Sequence, residues 1–260
     1  MIEFRNVHFG YDHVRVLEGV SFLVEEGTTK VIMGPSGTGK STLLKLALGL
    51  VRPEQGQVLV DDVDVGRARG RELNEVRRRM GMVFQEGALF DSLNVGENVG
   101  YSLLERGNMP LREVEATVRQ FLGTVGLDPD LVERLPDELS IGMQRRVAIA
   151  RALAACNPHI MLYDEPTTGL DPQSLETITD VIVKLQREMN MTSMMVTHQI
   201  PDALKVGTTF LMLAQGRIVF DGTAEQLAEC HEPSVTSFLE PFYKTLRATI
   251  RSLHPEKLEN

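Results

Sequence analysis

The sequence has little cysteine, no long apolar run and no excess of positive charge. The 2 cysteines, Cys156 and Cys230, are too few for a disulfide framework and suit a reducing compartment. No window approaches the ~20 apolar residues that a membrane-spanning helix needs. The first residues also lack the basic and apolar regions of a secretory signal. We therefore expect a cytoplasmic chain that does not itself cross a membrane.

The net charge and the length of the chain limit its binding partners and its number of domains. The net charge is −9, from 27 Lys and Arg against 36 Asp and Glu, whereas nucleic-acid phosphates call for a basic field. We therefore expect no nucleic-acid partner. The 260 residues suffice for one large α/β domain or two small ones.

Short strands alternate with helical segments along the chain. The first 24 residues form short β-type runs separated by glycine, and an apolar run at 31–33 leads into a glycine-rich loop and a helix at 42–50. The pattern is helical from about 94 to 155, with breaks expected at Pro110, Gly126, Pro129 and Pro136. Further apolar strands follow at 160–163 and 193–196, and a hairpin turns at Gln215-Gly216. This order predicts an α/β fold with a mostly parallel sheet and a helical insertion between its halves.

The glycine-rich loop has the chemistry of a phosphate cradle. It fits the pattern G-x-x-x-x-G-K-[ST], in which glycines let successive backbone N–H groups point at a phosphate. Lys40 can reach the β- and γ-phosphates, and the Ser41 hydroxyl can ligate Mg²⁺. We predict ATP and Mg²⁺ as cofactors, with the nucleotide bound by Gly34, Pro35, Ser36, Gly37, Thr38, Gly39, Lys40, Ser41 and Thr42.

Two further groups follow apolar strands. Asp164 and Glu165 close the strand at 160–163, where the first carboxylate can hold Mg²⁺ and the second can activate water as a general base. His198 follows the strand at 193–196 and is interpreted as a γ-phosphate contact, although a lone histidine is often structural. We predict Lys40, Glu165 and His198 as catalytic residues.

Residues 139–146 read Leu-Ser-Ile-Gly-Met-Gln-Arg-Arg and begin a helix without an internal breaker. Ser140 is therefore expected to cap that helix. A capping serine at a helix N-terminus is also a ready anion site. Capping alone is the alternative interpretation of Ser140.

Together these motifs resemble the ATP-binding-cassette (ABC) ATPases, in family order over nearly the whole chain. The resemblance implies a P-loop NTPase (RecA-like) core with a mostly parallel sheet, an N-terminal antiparallel β subdomain and an inserted α-helical subdomain. The nucleotide-binding domain would cover 1–240, with the helical part at about 88–155, followed by an amphipathic helical tail at 241–260. In that tail Phe242, Leu246, Ile250 and Leu253 share one helical face, suited to packing on the chain or its dimer partner, or to a membrane surface.

The resemblance also implies roles for single residues. Tyr11 resembles the aromatic that stacks on adenine, with Val16 beside it, although a tyrosine here could simply be core. Gln85 resembles the glutamine that senses Mg²⁺ and the attacking water, which implies a fourth catalytic residue and a third Mg²⁺ ligand beside Ser41 and Asp164. Asp171 resembles an aspartate at the dimer seam. The family further implies a nucleotide sandwich between two subunits.

In that sandwich, Ser140 and Gly142 of one subunit complete the other's site. The motif departs from the family's Leu-Ser-Gly-Gly-Gln, because Ile141 replaces the first glycine and Met143 replaces the glutamine. This departure leaves the turnover rate open, since Ile141 cannot adopt a glycine-only conformation.

Residues 84–95 narrow the subfamily. They are similar to the corresponding region of ATPases that drive MCE-type (Mla/Mkl-like) lipid transport. This implies a peripheral ATPase subunit, expected as a homodimer, that drives an integral permease at the cytoplasmic face of the inner membrane, together with an MCE-type lipid-binding protein. The alternatives are the ATPase of a polar amino-acid uptake system and a soluble ABC protein acting on nucleic acid or the ribosome.

Overall fold

The computed structural model describes residues 1–246 except 13, 108 and 245; of Cys156 only the backbone is described. The strands are β1 Ile2–Tyr11, β2 Val14–Val24, β3 Thr29–Met33, β4 Gln55–Val60, β5 Val63–Asp64, β6 Met80–Val83, β7 Ile160–Asp164, β8 Thr192–Val196, β9 Thr209–Ala214 and β10 Arg217–Gly222. The helices are α1 Lys40–Ala47, α2 Gly70–Arg77, α3 Val95–Arg106, α4 Leu111–Thr124, α5 Ile141–Cys156, α6 Pro172–Met189, α7 Ile200–Val206, α8 Ala224–Ala228 and α9 Pro233–Leu239.

The central sheet has six strands in the order β10-β9-β3-β8-β7-β6. Its neighbours pair in parallel except for the β9–β10 hairpin, which confirms the turn predicted at Gln215-Gly216. Strands β3, β7 and β8 are almost wholly buried, as their apolar sequences require. Because parallel strands end at the same edge, the segments after β3, β6, β7 and β8 come together at one side of the sheet.

A second, antiparallel sheet stands beside the first, with strands in the order β2-β1-β4-β5. Its inward residues, among them Phe4 and Val20, share a hydrophobic cluster with α1 and with one face of the central sheet. The other face of that sheet packs against the helices inserted between β6 and β7, which are α3, α4 and α5. The predicted fold class is confirmed, including the antiparallel β subdomain and the helical insertion.

One predicted helix boundary differs from the structure. The helix after the glycine-rich loop begins at Lys40 and ends at Ala47, because Gly49 follows with a φ of 63° in the left-handed region. The helical stretch at 94–155 is interrupted between α4 and α5 by two short 3₁₀ helices, Pro129–Glu133 and Pro136–Glu138, which begin at two of the predicted breaks. Each begins with proline, which fits a first helical position and disfavours continuation from before.

Only the start of the predicted amphipathic tail lies within the described residues. Leu246 is fully buried in the core cluster, and Phe242 and Tyr243 pack partly against it. The other two residues of the predicted face, Ile250 and Leu253, lie outside the described part. Within the part of the chain that the structure describes, no helix has the length and hydropathy needed to span a membrane.

Candidate active site

The glycine-rich loop joins β3 to α1 and depends on three glycines. Gly34, Gly37 and Gly39 have φ angles of 137°, 79° and 99°, a region that L side chains rarely adopt. A Cβ atom on Gly34 would also lie 2.2 Å from the carbonyl oxygen of Leu213. The loop therefore curls tightly at the carboxyl edge of the sheet, in front of the N-terminus of α1.

Lys40 lies inside this curl. Its Nζ donates hydrogen bonds to the carbonyl oxygens of Gly34 and Pro35, both at 2.9 Å. Burial lowers the pKa of Lys40, while the nearby carboxylates of Glu165 and Asp164 act in the opposite direction. An ammonium held by two carbonyls can exchange them for phosphate oxygens, which are stronger partners for a cation.

Ser41 and Asp164 connect α1 to the end of β7. The Ser41 Oγ donates to the Asp164 Oδ1 at 2.9 Å. Burial raises the pKa of Asp164, and the charge of Glu165 raises it further. A hydroxyl and a carboxylate are hard oxygen donors of the kind Mg²⁺ takes alongside phosphates and water, and a cation would offset the repulsion between the two acids. The residues present therefore fit Mg²⁺.

Glu165 is fixed in a strained backbone conformation between two side chains. Its φ is 50°, and its backbone N–H donates to the carbonyl of Val196 at 2.9 Å. The carboxylate accepts a hydrogen bond from the Thr168 hydroxyl at 2.9 Å and lies 2.9–3.0 Å from the Nδ1 atom of His198. Strained residues held by their surroundings are typical of active sites. The acid is thus oriented as a proton acceptor, with His198 half-exposed beside it.

The remaining residues predicted for this half of the site lie at its margins. Val16 contacts the loop, since a Cβ on Gly39 would lie 2.9 Å from the Val16 Cγ1 atom. Tyr11 ends β1 with 41% of its surface exposed and packs edge-on against Phe9. Gln85 is exposed just after β6, a strand that pairs with β7 at the same sheet edge. Their roles stay predictions.

Ser140, Gly142 and Asp171 form a second group, built on the starts of α5 and α6. Ser140 caps α5 by accepting the Met143 N–H at 3.3 Å, as expected from the sequence. Asp171 caps α6 and accepts the Ser174 N–H at 3.0 Å, and hydrogen bonds with Ser174 lower the pKa of Asp171. Gly142 lies against this same Ser174, which joins the two helix starts.

Ile141 needs no glycine-only conformation. It is the first residue of α5, has no positive φ and points outward with 59% of its surface exposed. The sequence argument that a glycine-specific backbone is lost at this position is therefore wrong. The close approach that requires a glycine occurs at Gly142, which the sequence retains.

Three side chains of structural importance were not singled out as site residues from the sequence. Thr168 holds the Glu165 carboxylate, and its position three residues later is the signal that could have revealed it. Arg145 and Arg151 of α5 bind backbone carbonyls of the loop at 84–88. Nothing local in the sequence indicates those two contacts, because the partners lie 61 and more residues away.

Comparison with known proteins decides the family. The sequence profile of the ABC transporter family matches residues 17–168, from β2 through the loop and both acids to Thr168. The chain belongs to the ABC transporter family. It is an ATPase subunit of that family, as the resemblance in its motifs predicted.

Individual relatives agree with this assignment. The chain is 39% identical to the intermembrane phospholipid transport system ATP-binding protein MlaF of Haemophilus influenzae, over 92% of this chain and 90% of MlaF. It is 37% identical to the probable ribonucleotide transport ATP-binding protein mkl of Mycobacterium bovis, over 92% of this chain and 66% of mkl. The predicted likeness to Mla/Mkl-type ATPases is confirmed.

A solved structure shares the fold. It is the dimeric post-hydrolysis state of the ATP-binding cassette MJ0796 bound to ADP and Pi, with a TM-score of 0.77 and 34% identity. The match covers 86% of this chain and 98% of that one. That cassette is thus a dimer with ADP and Pi bound, in the fold described above.

Proposed function

We propose that this chain is the ATP-hydrolysing subunit of a transporter that moves phospholipid between membranes. The observation that carries the proposal is the 39% identity to MlaF over nine-tenths of both chains. A match of that extent supports the same domain arrangement in the compared part. The similarity of residues 84–95 to the same subfamily supports the same cargo.

Two copies of the chain would enclose two ATP molecules. In each site one protomer supplies Lys40, Ser41 and Asp164, while the other supplies the helix starts that carry Ser140 and Gly142. Mg²⁺ would be held by Ser41 and Asp164, with Gln85 nearby, and would neutralise charge on the phosphates. The exposure of Ser140 and the anion-binding character of a helix N-terminus support this arrangement.

Hydrolysis would proceed at Glu165. Its carboxylate is already oriented by Thr168 and His198, so it can accept a proton from water that attacks the γ-phosphate. His198 lies with its Nδ1 atom on Glu165 and has about half of its side chain exposed, so its Nε2, which contacts no partner among the described residues, can contact the γ-phosphate. Lys40 would stabilise the charge that develops on the phosphate oxygens.

The permease would dock at a groove between the end of β6 and the helical insertion. Three exposed aromatic side chains, Phe84, Phe90 and Tyr101, line this groove, and the rings of the last two lie 4.7 Å apart. Exposed aromatic clusters of this kind mark protein interfaces. We infer an integral membrane permease as partner, with the ATPase held at the cytoplasmic face of the inner membrane and an MCE-type protein carrying the lipid.

The other cargoes have less support. No relative considered above is named for amino-acid transport, and the net charge of −9 disfavours a nucleic-acid substrate. The name of the mycobacterial relative makes a ribonucleotide the second candidate. The protein that accompanies the permease distinguishes these cargoes from phospholipid.

The test is purification of the tagged chain with its membrane partners from detergent extracts of the native source. Partners identified by mass spectrometry should include a multi-span permease and an MCE-type protein. The purified complex, placed in vesicles with fluorescent phospholipid, should move lipid with ATP, and a complex carrying Glu165→Gln should not. A permease accompanied by an amino-acid-binding protein, or ribosomes in place of a permease, would contradict the proposal.

A further inference from the structure

Helix α5 is attached to the loop that carries Gln85 through a buried arginine. The side chain of Arg145 lies five residues after the cap Ser140 and only 4% of its residue surface is exposed. Its Nη1 donates to the carbonyl oxygen of Phe84 at 2.8 Å. Phe84 directly precedes Gln85, so one side chain of α5 fixes the backbone at the entry to that loop.

The surroundings of Arg145 are unusual for a charged group. Its Nε is buried and has no hydrogen-bond partner among the described residues. Burial lowers the pKa of Arg145, and the charge of Glu86 acts against that effect. No described carboxylate forms a salt bridge with Arg145, so the desolvation penalty of its buried guanidinium is not offset by an ion pair. Packing alone would be served better by an apolar residue of similar volume, which points to the Phe84 contact as the reason for arginine.

The same helix holds the far side of the loop. Arg151 donates through Nη1 to the carbonyl of Ala88 at 2.7 Å and through Nη2 to that of Gly87 at 2.8 Å. Gly87 and Ala88 both have positive φ, so this turn has few alternative conformations. Three carbonyls of residues 84–88 are therefore bound by α5, and a shift of the loop would shift the helix with it.

We propose that Arg145 is a positioning residue that couples the Gln85 loop of a protomer to the Ser140 start of its own α5. The position of Gln85 in the chain's own ATP site would then depend on the position of Ser140, which contacts the ATP bound to the partner. The inference rests on the proposed ATP site shared between protomers. It adds Arg145 as the residue that connects the Gln85 loop to the start of α5. It predicts that loss of the guanidinium weakens closure of the dimer without weakening ATP binding to the P-loop.

The test uses Glu165→Gln protein, in which blocked hydrolysis should accumulate the ATP-bound dimer. Arg145→Met, Arg145→Lys and Arg146→Met are each added to it. Arg146 is the matched control, because it lies on the same helix and donates to the carbonyl of Gly126, away from the loop. ATP affinity is titrated at protein concentrations below dimerisation, and the dimerisation constant is measured by sedimentation with saturating MgATP.

Arg145→Met should weaken ATP-dependent dimerisation about tenfold, within the range of coupling free energies between linked sites, and leave ATP affinity unchanged. Arg145→Lys should recover most of the loss, since an ammonium can still donate to the Phe84 carbonyl. Arg146→Met should dimerise like its parent. Unimpaired dimerisation of Arg145→Met, an equal defect in Arg146→Met, or a parallel loss of ATP affinity would overturn the proposal. Failure of the parent itself to dimerise would instead reject the shared site.

Discussion

Side chains of opposite charge lie close together around the glycine-rich loop. The Lys40 ammonium is held by loop carbonyls, and the paired acids Asp164 and Glu165 stand across from it at the end of β7. Burial disfavours the charged forms of both Lys40 and Asp164. The proposed binding of ATP with Mg²⁺ would bring opposite charges to both groups.

Glu165→Gln should separate ATP binding from ATP hydrolysis. The amide keeps the volume of the side chain and can still contact His198 and Thr168, but it cannot take a proton from water. We expect ATP affinity within about twofold of the parent, and turnover lower by about a hundredfold or more, as for loss of a general base. Equilibrium titration and phosphate release check the two quantities, and normal turnover would remove Glu165 from the base role.

Asp164→Asn should stabilise the nucleotide-free protein while impairing MgATP hydrolysis. Because the pKa of Asp164 is raised in the fold, its ionised form costs stability at neutral pH, and the cost falls as the pH drops through that raised pKa and vanishes below the ordinary pKa of the unfolded chain. Asparagine keeps an oxygen for the Ser41 hydroxyl and carries no charge. We expect a melting temperature higher by about 2–4 °C at pH 7.5, equivalent to ~1 kcal/mol.

The pH dependence supplies the control for this prediction. The difference in melting temperature between Asp164→Asn and the parent should shrink when both are measured at successively lower pH. A difference that grows on acidification would mean that the charge of Asp164 stabilises the fold, contrary to its buried setting.

At the scale of elements, the starts of α5 and α6 pack closely because one glycine, Gly142, lies between them. A Cβ on Gly142 would lie 2.4 Å from the Ser174 Oγ and 2.6 Å from its Cβ, closer than real contacts allow. The N–H of the same serine is held by the Asp171 carboxylate. The two helix starts that face the partner subunit in the proposed dimer therefore form one unit.

Gly142→Ala should disturb that unit, and Gly123→Ala offers the matched control. The first substitution overpacks a buried contact, which costs about 1–3 kcal/mol. The second adds a methyl group to α4, where nothing lies within 4 Å, and should stabilise the protein by about 0.5–1 kcal/mol. Denaturant unfolding measures both.

A second substitution tests whether Ser174 causes the loss of stability in Gly142→Ala. Combining Gly142→Ala with Ser174→Gly removes both crowding atoms and should restore part of the lost stability. If the double variant is as unstable as the sum of its parts, Ser174 is not the source of the clash.

The elements themselves illustrate what the sequence can predict. The P-loop, the acid pair and the Ser140 cap are recognisable because each is a short motif whose residues act on their own backbone or at the end of their own strand. The contacts Arg145–Phe84 and Gly142–Ser174 join distant segments and depend on how each helix is rotated against its neighbour. For the same reason the sequence does not show that the need for a glycine lies in the close contact at Gly142 and not in the backbone conformation of residue 141.

At the scale of the whole molecule, the proposed dimer requires each chain to supply two different halves of an ATP site. One half is the loop with Lys40, at the carboxyl edge of the sheet, and the other is the pair of helix starts with Ser140 and Asp171. Glycines with positive φ shape the loop, and side-chain caps hold the two helix starts. Closure of two copies would complete both ATP sites at once, and this single conformational change would be transmitted to a bound permease.

The most direct measurement of this claim is the molar mass of three Glu165→Gln proteins by light scattering with and without MgATP. The first has no further change, the second carries Lys40→Ala and the third Ser140→Arg. We predict an ATP-dependent dimer of the 29.0 kDa chain for the first and monomers for the other two, with dimers reappearing when the second and third are mixed, because one intact site then forms between them. An ATP-dependent dimer of the Ser140→Arg protein alone, as abundant as that of the first, would contradict a site shared between protomers.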